Sequence, residues 1–294
     1  MIKRILAITI CLLSYKAFSQ GDLMNLADSL LESDQEKFVN ATFKGTRIVN
    51  GHSIETRAAK DLDFIISHRF GTINKGIYDL FGLDQATIRF GFDYGLTNQL
   101  TIGIGRSSFE KTYDGFLKYK VLRQQRGSRN IPLSIALFSS IAMNTTRFNE
   151  SEEWRSESSR LSYAYQILVA RKFSERFSLQ VSPTLIHRNF VETNEDENDV
   201  YSTGFAGRFK LTKRVALTGE YYYVFPGETA DQFKNAFSLG FDIETGGHVF
   251  QLHFTNSQGM IEKSFIPETT ASWSKREIYI GFNISRIFSL GKEK

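Results

Sequence analysis

The chain has 294 residues, a formal net charge of +4 and a mean hydropathy of -0.26. Its 26 Phe, 12 Tyr and 22 Gly against only 4 Pro make an aromatic, proline-poor mixture that favours β-structure. The modest positive charge is not gathered into a basic patch interleaved with aromatics, which argues against a nucleic-acid partner.

Lys3 and Arg4 precede an apolar run from Ile5 to Leu13, followed by the small-residue site Ala17-Phe18-Ser19 before Gln20. This pattern predicts a secretory signal peptide over residues 1–19. The run is far shorter than the ~20 apolar residues that span a bilayer as a helix, and no later stretch approaches that length. Cys11, the sole cysteine, falls inside the predicted signal and too early for a lipoprotein site, so neither disulfide nor thiol chemistry is expected of the mature chain.

Residues 20–60 read as a periplasmic segment. Leu23, Leu26, Ala27, Leu30 and Leu31 recur at helical spacing with acidic residues between them, predicting a short amphipathic helix from Asp22 to about Phe38. Such a helix either caps one barrel end or serves as a plug or partner-binding element. Thr42 to Val49 could form a further strand, though parity argues against its spanning a membrane.

From Asp61 onward, segments of roughly ten residues alternate between apolar and polar side chains, the sign of a transmembrane antiparallel β-barrel. In Ile88-Arg89-Phe90-Gly91-Phe92-Asp93-Tyr94 the two faces meet opposite environments. Short turns at Leu96-Thr97-Asn98, Ser174-Glu175-Arg176, Thr212-Lys213 and Thr245-Gly246-Gly247 alternate with long connections at 72–84, 145–157, 192–199, 226–232 and 257–274. Bacterial barrels have short periplasmic turns, long external loops and an even strand number, so about twelve strands are expected. They lie near 61–71, 86–95, 98–107, 113–123, 131–143, 159–172, 176–188, 200–211, 214–225, 234–244, 248–256 and 277–288. The up-and-down barrel would then occupy 61–288, with a tail at 289–294.

One face of these strands is oily, as in Phe177, Leu179 and Val181 or Phe237, Leu239 and Phe241, and suits lipid. The other is mostly small, as in Ser134, Ala136 and Ser140 or Ser162, Ala164 and Gln166, where a soluble surface would carry more Lys and Glu. Tyr94, Tyr113, Tyr163, Tyr201, Tyr221 and Tyr223 sit toward strand ends, where aromatic girdles belong. Projection at period two places Asp63, Arg69, Arg89, Asp93, Asp114, Lys118, Lys120, Arg208, Lys210, Glu220, Lys234, Asp242 and His253 in the lumen. Both signs are present, so these charges either close the tube as ion pairs or line a pore with a mixed field. Thr101, Gly103 and Gly105 are inward and small, which suggests close approach of another backbone, such as the N-terminal segment.

Other chemistry is faint. The acidic loop from Glu192 to Asp199 lacks the order of a calcium loop, and no Cys/His spacing marks a metal site. His68 and His187 point toward lipid without a Gly-x-Ser-x-Gly nucleophile context. No catalytic, metal-binding or cofactor-binding residue is assigned, and no cofactor is expected.

Leu80-Phe81-Gly82-Leu83-Asp84, Arg89 to Asn98, Thr112 to Lys120 and His248 to Asn256 together resemble a Bacteroidota outer-membrane barrel family of unassigned function. That resemblance implies fold and an outer-membrane location and carries no catalytic residues. The leading functional expectation is a narrow pore or solute-transfer channel with a charged lumen, whose partners are membrane lipid and small solutes. The alternatives are a non-conducting structural or assembly subunit that meets another envelope protein through its N-terminal helix or external loops, and a lipid-modifying barrel enzyme using His68 or His187.

Overall fold

A computed structural model of the chain describes residues 37–127, 129–148, 156–245 and 248–291. The predicted signal, most of the predicted helix, Gly246 and Gly247, part of the long connection at 145–157 and the end of the tail lie outside the described residues. The chain divides into two compact units. Of the smaller, the described part is a ribbon in which Lys37 and Phe38 pair antiparallel with Arg126 and Gln125. Lys37–Phe38 is therefore extended, and the expected helix does not reach Phe38. Its last two positions are held by strand pairing and by the Val39 N–H donating to the Gln124 carbonyl at 2.8 Å.

The larger unit is a closed barrel of twelve antiparallel strands. They are β1 (Asp61–Thr72), β2 (Ala86–Gly95), β3 (Leu100–Ser107), β4 (Tyr113–Leu122), β5 (Ser134–Met143) and β6 (Leu161–Lys172). The rest are β7 (Phe177–Arg188), β8 (Asp199–Lys210), β9 (Val215–Val224), β10 (Phe237–Thr245), β11 (His248–Thr255) and β12 (Tyr279–Ser289). Each pairs with its sequence neighbours, and β12 returns to β1 in a register running from Ser289↔Asp61 to Tyr279↔Thr72, with one irregularity between Tyr279 and Gly281. Closure leaves no unpaired edge, which a sheet in hydrocarbon requires.

Three of the short turns share one chemistry. In Leu96 to Leu100, Phe173 to Phe177 and Leu211 to Val215, the hydroxyl of Thr97, Ser174 or Thr212 accepts the N–H groups two and three residues later. The apolar residues at either end of each five-residue turn close it by a backbone bond of 2.9 Å. Hydroxyl residues favour this role because they satisfy turn amides locally.

Side chains alternate strictly across the wall. On β8, Tyr201, Phe205 and Phe209 face out and are about half exposed, while Val200, Ser202 and Ala206 are buried. Phe241 occupies the outward face of β10, between Leu217 of β9 and Leu252 of β11. Phe241→Arg is expected to cost about 2–4 kcal/mol in bilayer unfolding titrations, the penalty of a guanidinium near the membrane midplane. An unchanged midpoint would mean that this face does not meet lipid.

Candidate functional site

Inside the wall lies the N-terminal segment. Thr46 to Ser53 form a hairpin: Ile48 N–H donates to Gly51 O and Ser53 N–H to Thr46 O, both at 2.9 Å, and Arg47 bridges His52. Its partners come from around the barrel. The Glu220 carboxylate on β9 accepts the backbone N–H of Asn50 at 2.8 Å, of Gly51 at 3.1 Å and of Val49 at 3.3 Å. Asn283 on β12 donates to Val49 O, Gln251 on β11 to Ile48 O and Gln180 on β7 to His52 O, at 2.8–2.9 Å. Lys118 on β4 donates to Ser53 O at 3.0 Å, Arg69 on β1 to Asn50 Oδ1, and Thr46 donates to Asp93 on β2 at 2.9 Å. A segment bonded from so many sides occupies the lumen.

Glycines make the fit. A Cβ on Gly51 would sit 2.0 Å from the Tyr222 hydroxyl, and one on Gly95 would sit 1.9 Å from Ala58 O, where the segment turns into β1. Asn98 completes this neck, accepting Ala59 N–H at 3.0 Å through its side chain and the Thr56 hydroxyl at 2.9 Å through its carbonyl. The Gly95-Leu96-Thr97-Asn98 turn thus clamps the chain where it runs from the hairpin to β1. Gly103 and Gly105 act differently from expectation. They make room for the Phe116 ring and the Arg89 guanidinium of neighbouring strands, and the N-terminal backbone is not what approaches them. Thr101 does receive it, accepting Arg57 N–H at 2.9 Å.

The predicted inward charges fall into pairs and seats. Arg89 pairs with Asp114, Asp63 with Arg57 at 3.3 Å, and Lys120 with Glu55 at 3.3 Å. Arg208 lies 3.7 Å from Asp242, which accepts from Gln251 at 2.8 Å, and His253 is fully buried. Lys210 is half-buried at the end of β8. Lys234 is a correction: β10 begins at Phe237, so Lys234 belongs to the preceding loop, is exposed, and donates to Asp231 O at 2.5 Å. Ser238 bonds Thr255 at 2.9 Å and Asn50 at 3.1 Å with no exposed surface. An arginine there would therefore meet the hairpin, where an empty lumen would have accepted it.

The loop between β11 and β12 closes the other side of the hairpin. Met260, Ile261, Glu262, Phe265 and Ile266 are buried, and Phe265 packs edge-on against Tyr222 with ring centroids 4.9 Å apart. Arg47 of the hairpin reaches Glu262 at 3.5 Å, coupling the two closures through a buried ion pair. Burial raises the Glu262 pKa while Arg47 pulls it back. Burial also opposes the Lys263 charge, but Glu268 at 2.9 Å and Glu110 at 2.6 Å outweigh it and raise the pKa. Between hairpin and loop remains a gap of about 10 Å³ beside Arg47, His52 and Glu262, room for one water at most. Above the loop, a vestibule of about 640 Å³ is lined by residues such as Phe148, Arg160, Arg188 and Glu268.

The sequence matches the model of the membrane bound beta barrel domain family, DUF5777, over residues 43–288. The chain belongs to that family. The matched span takes in the hairpin as well as the barrel. Comparison with curated proteins finds no match. Among solved structures, the NanC porin aligns with 7% identity and a TM-score of 0.47, covering 77% of this chain and 98% of its own. The KdgM porin aligns at 8% and 0.47, covering 78% and 99%. The COG4313 outer membrane channel from Pseudomonas putida F1 aligns at 12% and 0.43, covering 79% and 96%.

Of the hairpin's seat, the sequence singled out the charged members by their period. It passed over Gln180, Gln251 and Asn283, which differ from other inward polar residues only in what they bond.

Proposed function

We propose that this family member is a gated channel of the outer membrane, reached by export with removal of residues 1–19. Residues 40–59 would close its lumen from the periplasmic side, and the β11–β12 loop from outside. One observation carries this reading: the hairpin is seated largely by polar bonds between wall side chains and its backbone. Bonds of that kind can be exchanged for water as the hairpin leaves, so the cost of leaving falls mainly on the buried side chains of Phe43, Ile48 and Ile54. Once vacated, the lumen would present Arg69, Asp93, Lys118 and Glu220 to a passing small solute and give it mixed-charge selectivity. The same double closure also suits a non-conducting structural subunit.

Conductance in planar bilayers separates the two. The mature chain should open rarely, and a chain lacking residues 20–60 should conduct persistently. Asn50→Cys combined with Ser238→Cys, introduced into a mature chain without other cysteine, should silence the channel until reductant is added. Silence of the truncated and the reduced protein alike would favour the structural reading.

A further inference from the structure

The lumen wall has two unlike halves. Most inward charges lie on β1, β2, β4 and β8 to β10, whereas β5 carries none and β6 and β7 carry one each at their ends, Lys172 and Arg188. The middle of that second arc is uncharged, with Ala136, Phe138, Leu168 and Ile186 all at most 2% exposed beside the amides of Gln166 and Gln180. Most bonds to the backbone of residues 40–59 come from outside this arc, Gln180 of β7 at His52 O and Lys172 of β6 at Asn40 O excepted, while Phe43, Ile48 and Ile54 pack in one cluster with Phe138 and Leu168.

The uncharged arc also contains the weakest line in the wall. Pro183, in the interior of β7, has no N–H, and proline is rare in such positions because it removes a ladder bond. The deficit falls on the β6 side: Thr203↔Pro183 pairing to β8 is kept, whereas Ile167/Pro183 and Leu168/Ser182 are missing from an otherwise continuous register to β6. A side-chain bond from Gln166 to Thr184, at 3.0 Å, spans the strands beside the gap. In hydrocarbon an unmade backbone bond is costly, so a proline there marks a seam. On the lipid face of this seam lies a groove of about 500 Å³, within the range of small-molecule sites. Leu137, Tyr165, Ile167, Leu185 and Tyr201 form its outer walls, and residues of the inward-facing set, Phe138, Gln166 and Thr184, also line it.

We infer that the channel's substrates include single-chain amphiphiles, which pass between the uncharged arc of the lumen and the bilayer through the seam at Pro183. The acyl chain would take the place of Phe43, Ile48 and Ile54, and the polar head would face the charged half. The groove opens on the bilayer, so a chain dissolved there is its occupant. This rests on the gated-channel reading, because the hairpin must move before the arc can be filled.

The test uses the full mature chain in phosphatidylcholine vesicles containing a fatty acid with a photoactivatable diazirine near its chain end. After illumination, mass spectrometry should find adducts on the outer groove residues and also on Phe138 and Leu168. Pro183→Val restores the N–H. It should cut the inward adducts about fivefold, the scale of one regained backbone hydrogen bond, while leaving the outer ones unchanged. The oxidised Asn50→Cys/Ser238→Cys pair should abolish inward adducts and reductant should return them, which keeps the test decisive if Pro183→Val folds poorly. Adducts confined to the outer face, or spread evenly around the barrel, would overturn the seam. Ion conductance on the same vesicles reports separately on the channel: conduction without inward adducts defeats only the lateral route.

Discussion

Glu220→Ala should raise the frequency with which the hairpin leaves its seat by roughly a hundredfold. The carboxylate is 3% exposed and accepts three consecutive backbone N–H groups, those of Val49, Asn50 and Gly51. A buried donor deprived of its acceptor costs about 1–3 kcal/mol, so even the low end of that range sums to roughly 3 kcal/mol here. Alanine also leaves the Arg69 guanidinium without its neighbouring anion. Glu220→Gln keeps one carbonyl acceptor and should fall between the two. Opening frequency in bilayers and hydrogen exchange at the three amides read the effect together. If exchange at Asn50 and Gly51 is unaltered in Glu220→Ala, the seat is held elsewhere.

Arg47→Met should release the β11–β12 loop from the barrel mouth. Arg47 of the hairpin pairs with Glu262, with His52 4.0 Å from the same carboxylate, and the Arg47 and Glu262 side chains are at most 6% exposed. Removing one partner of a buried ion pair leaves an uncompensated charge and costs about 3–5 kcal/mol, whereas replacing both with apolar groups is often nearly neutral. Arg47→Met combined with Glu262→Met is therefore expected to recover most of the loss, and the cycle isolates the coupling energy. Protease added outside intact cells reports it, through cleavage within residues 257–271: rare in the parent, frequent in Arg47→Met, rare again in the double variant. Equal cleavage of all three would show that hairpin and loop close independently.

The wall was legible in the sequence because a strand facing lipid on one side and polar groups on the other must alternate at period two, so Phe205 and Phe209 declare one face and Ala206 the other. Strand starts were less so. At the start of β10 the Asn256 side chain accepts Phe237 N–H and donates to Asn235 O while the Asn235 side chain accepts Val224 N–H, which no periodicity records. The contents of the lumen were barely legible. Thr46 to Ser53 is held chiefly through its peptide groups, which every residue possesses, so the side chains of that stretch carry little sign of what they do. The glycine signal was real but its object was mistaken. A missing Cβ at Gly105 admits Arg89 and one at Gly51 admits Tyr222, and spacing alone cannot distinguish a neighbour's side chain from a third backbone.

The hairpin's hydrogen bonds come from β1, β2, β4, β7, β9, β10, β11 and β12, with Thr255 of β11 adding a contact at 3.4 Å to Asn50. No contiguous fragment of the sheet offers more than part of this set, and β1 and β12, the first and last strands, must meet for the sheet to close. A segment so placed would serve in biogenesis as a mandrel. Although it precedes every strand in the chain, its folding cannot be completed before theirs, and the sheet that rolls shut around it gains an internal template. The assembly machinery would release a barrel already occupied, so any opening is an event in the life of the mature protein and not a stage left over from its making.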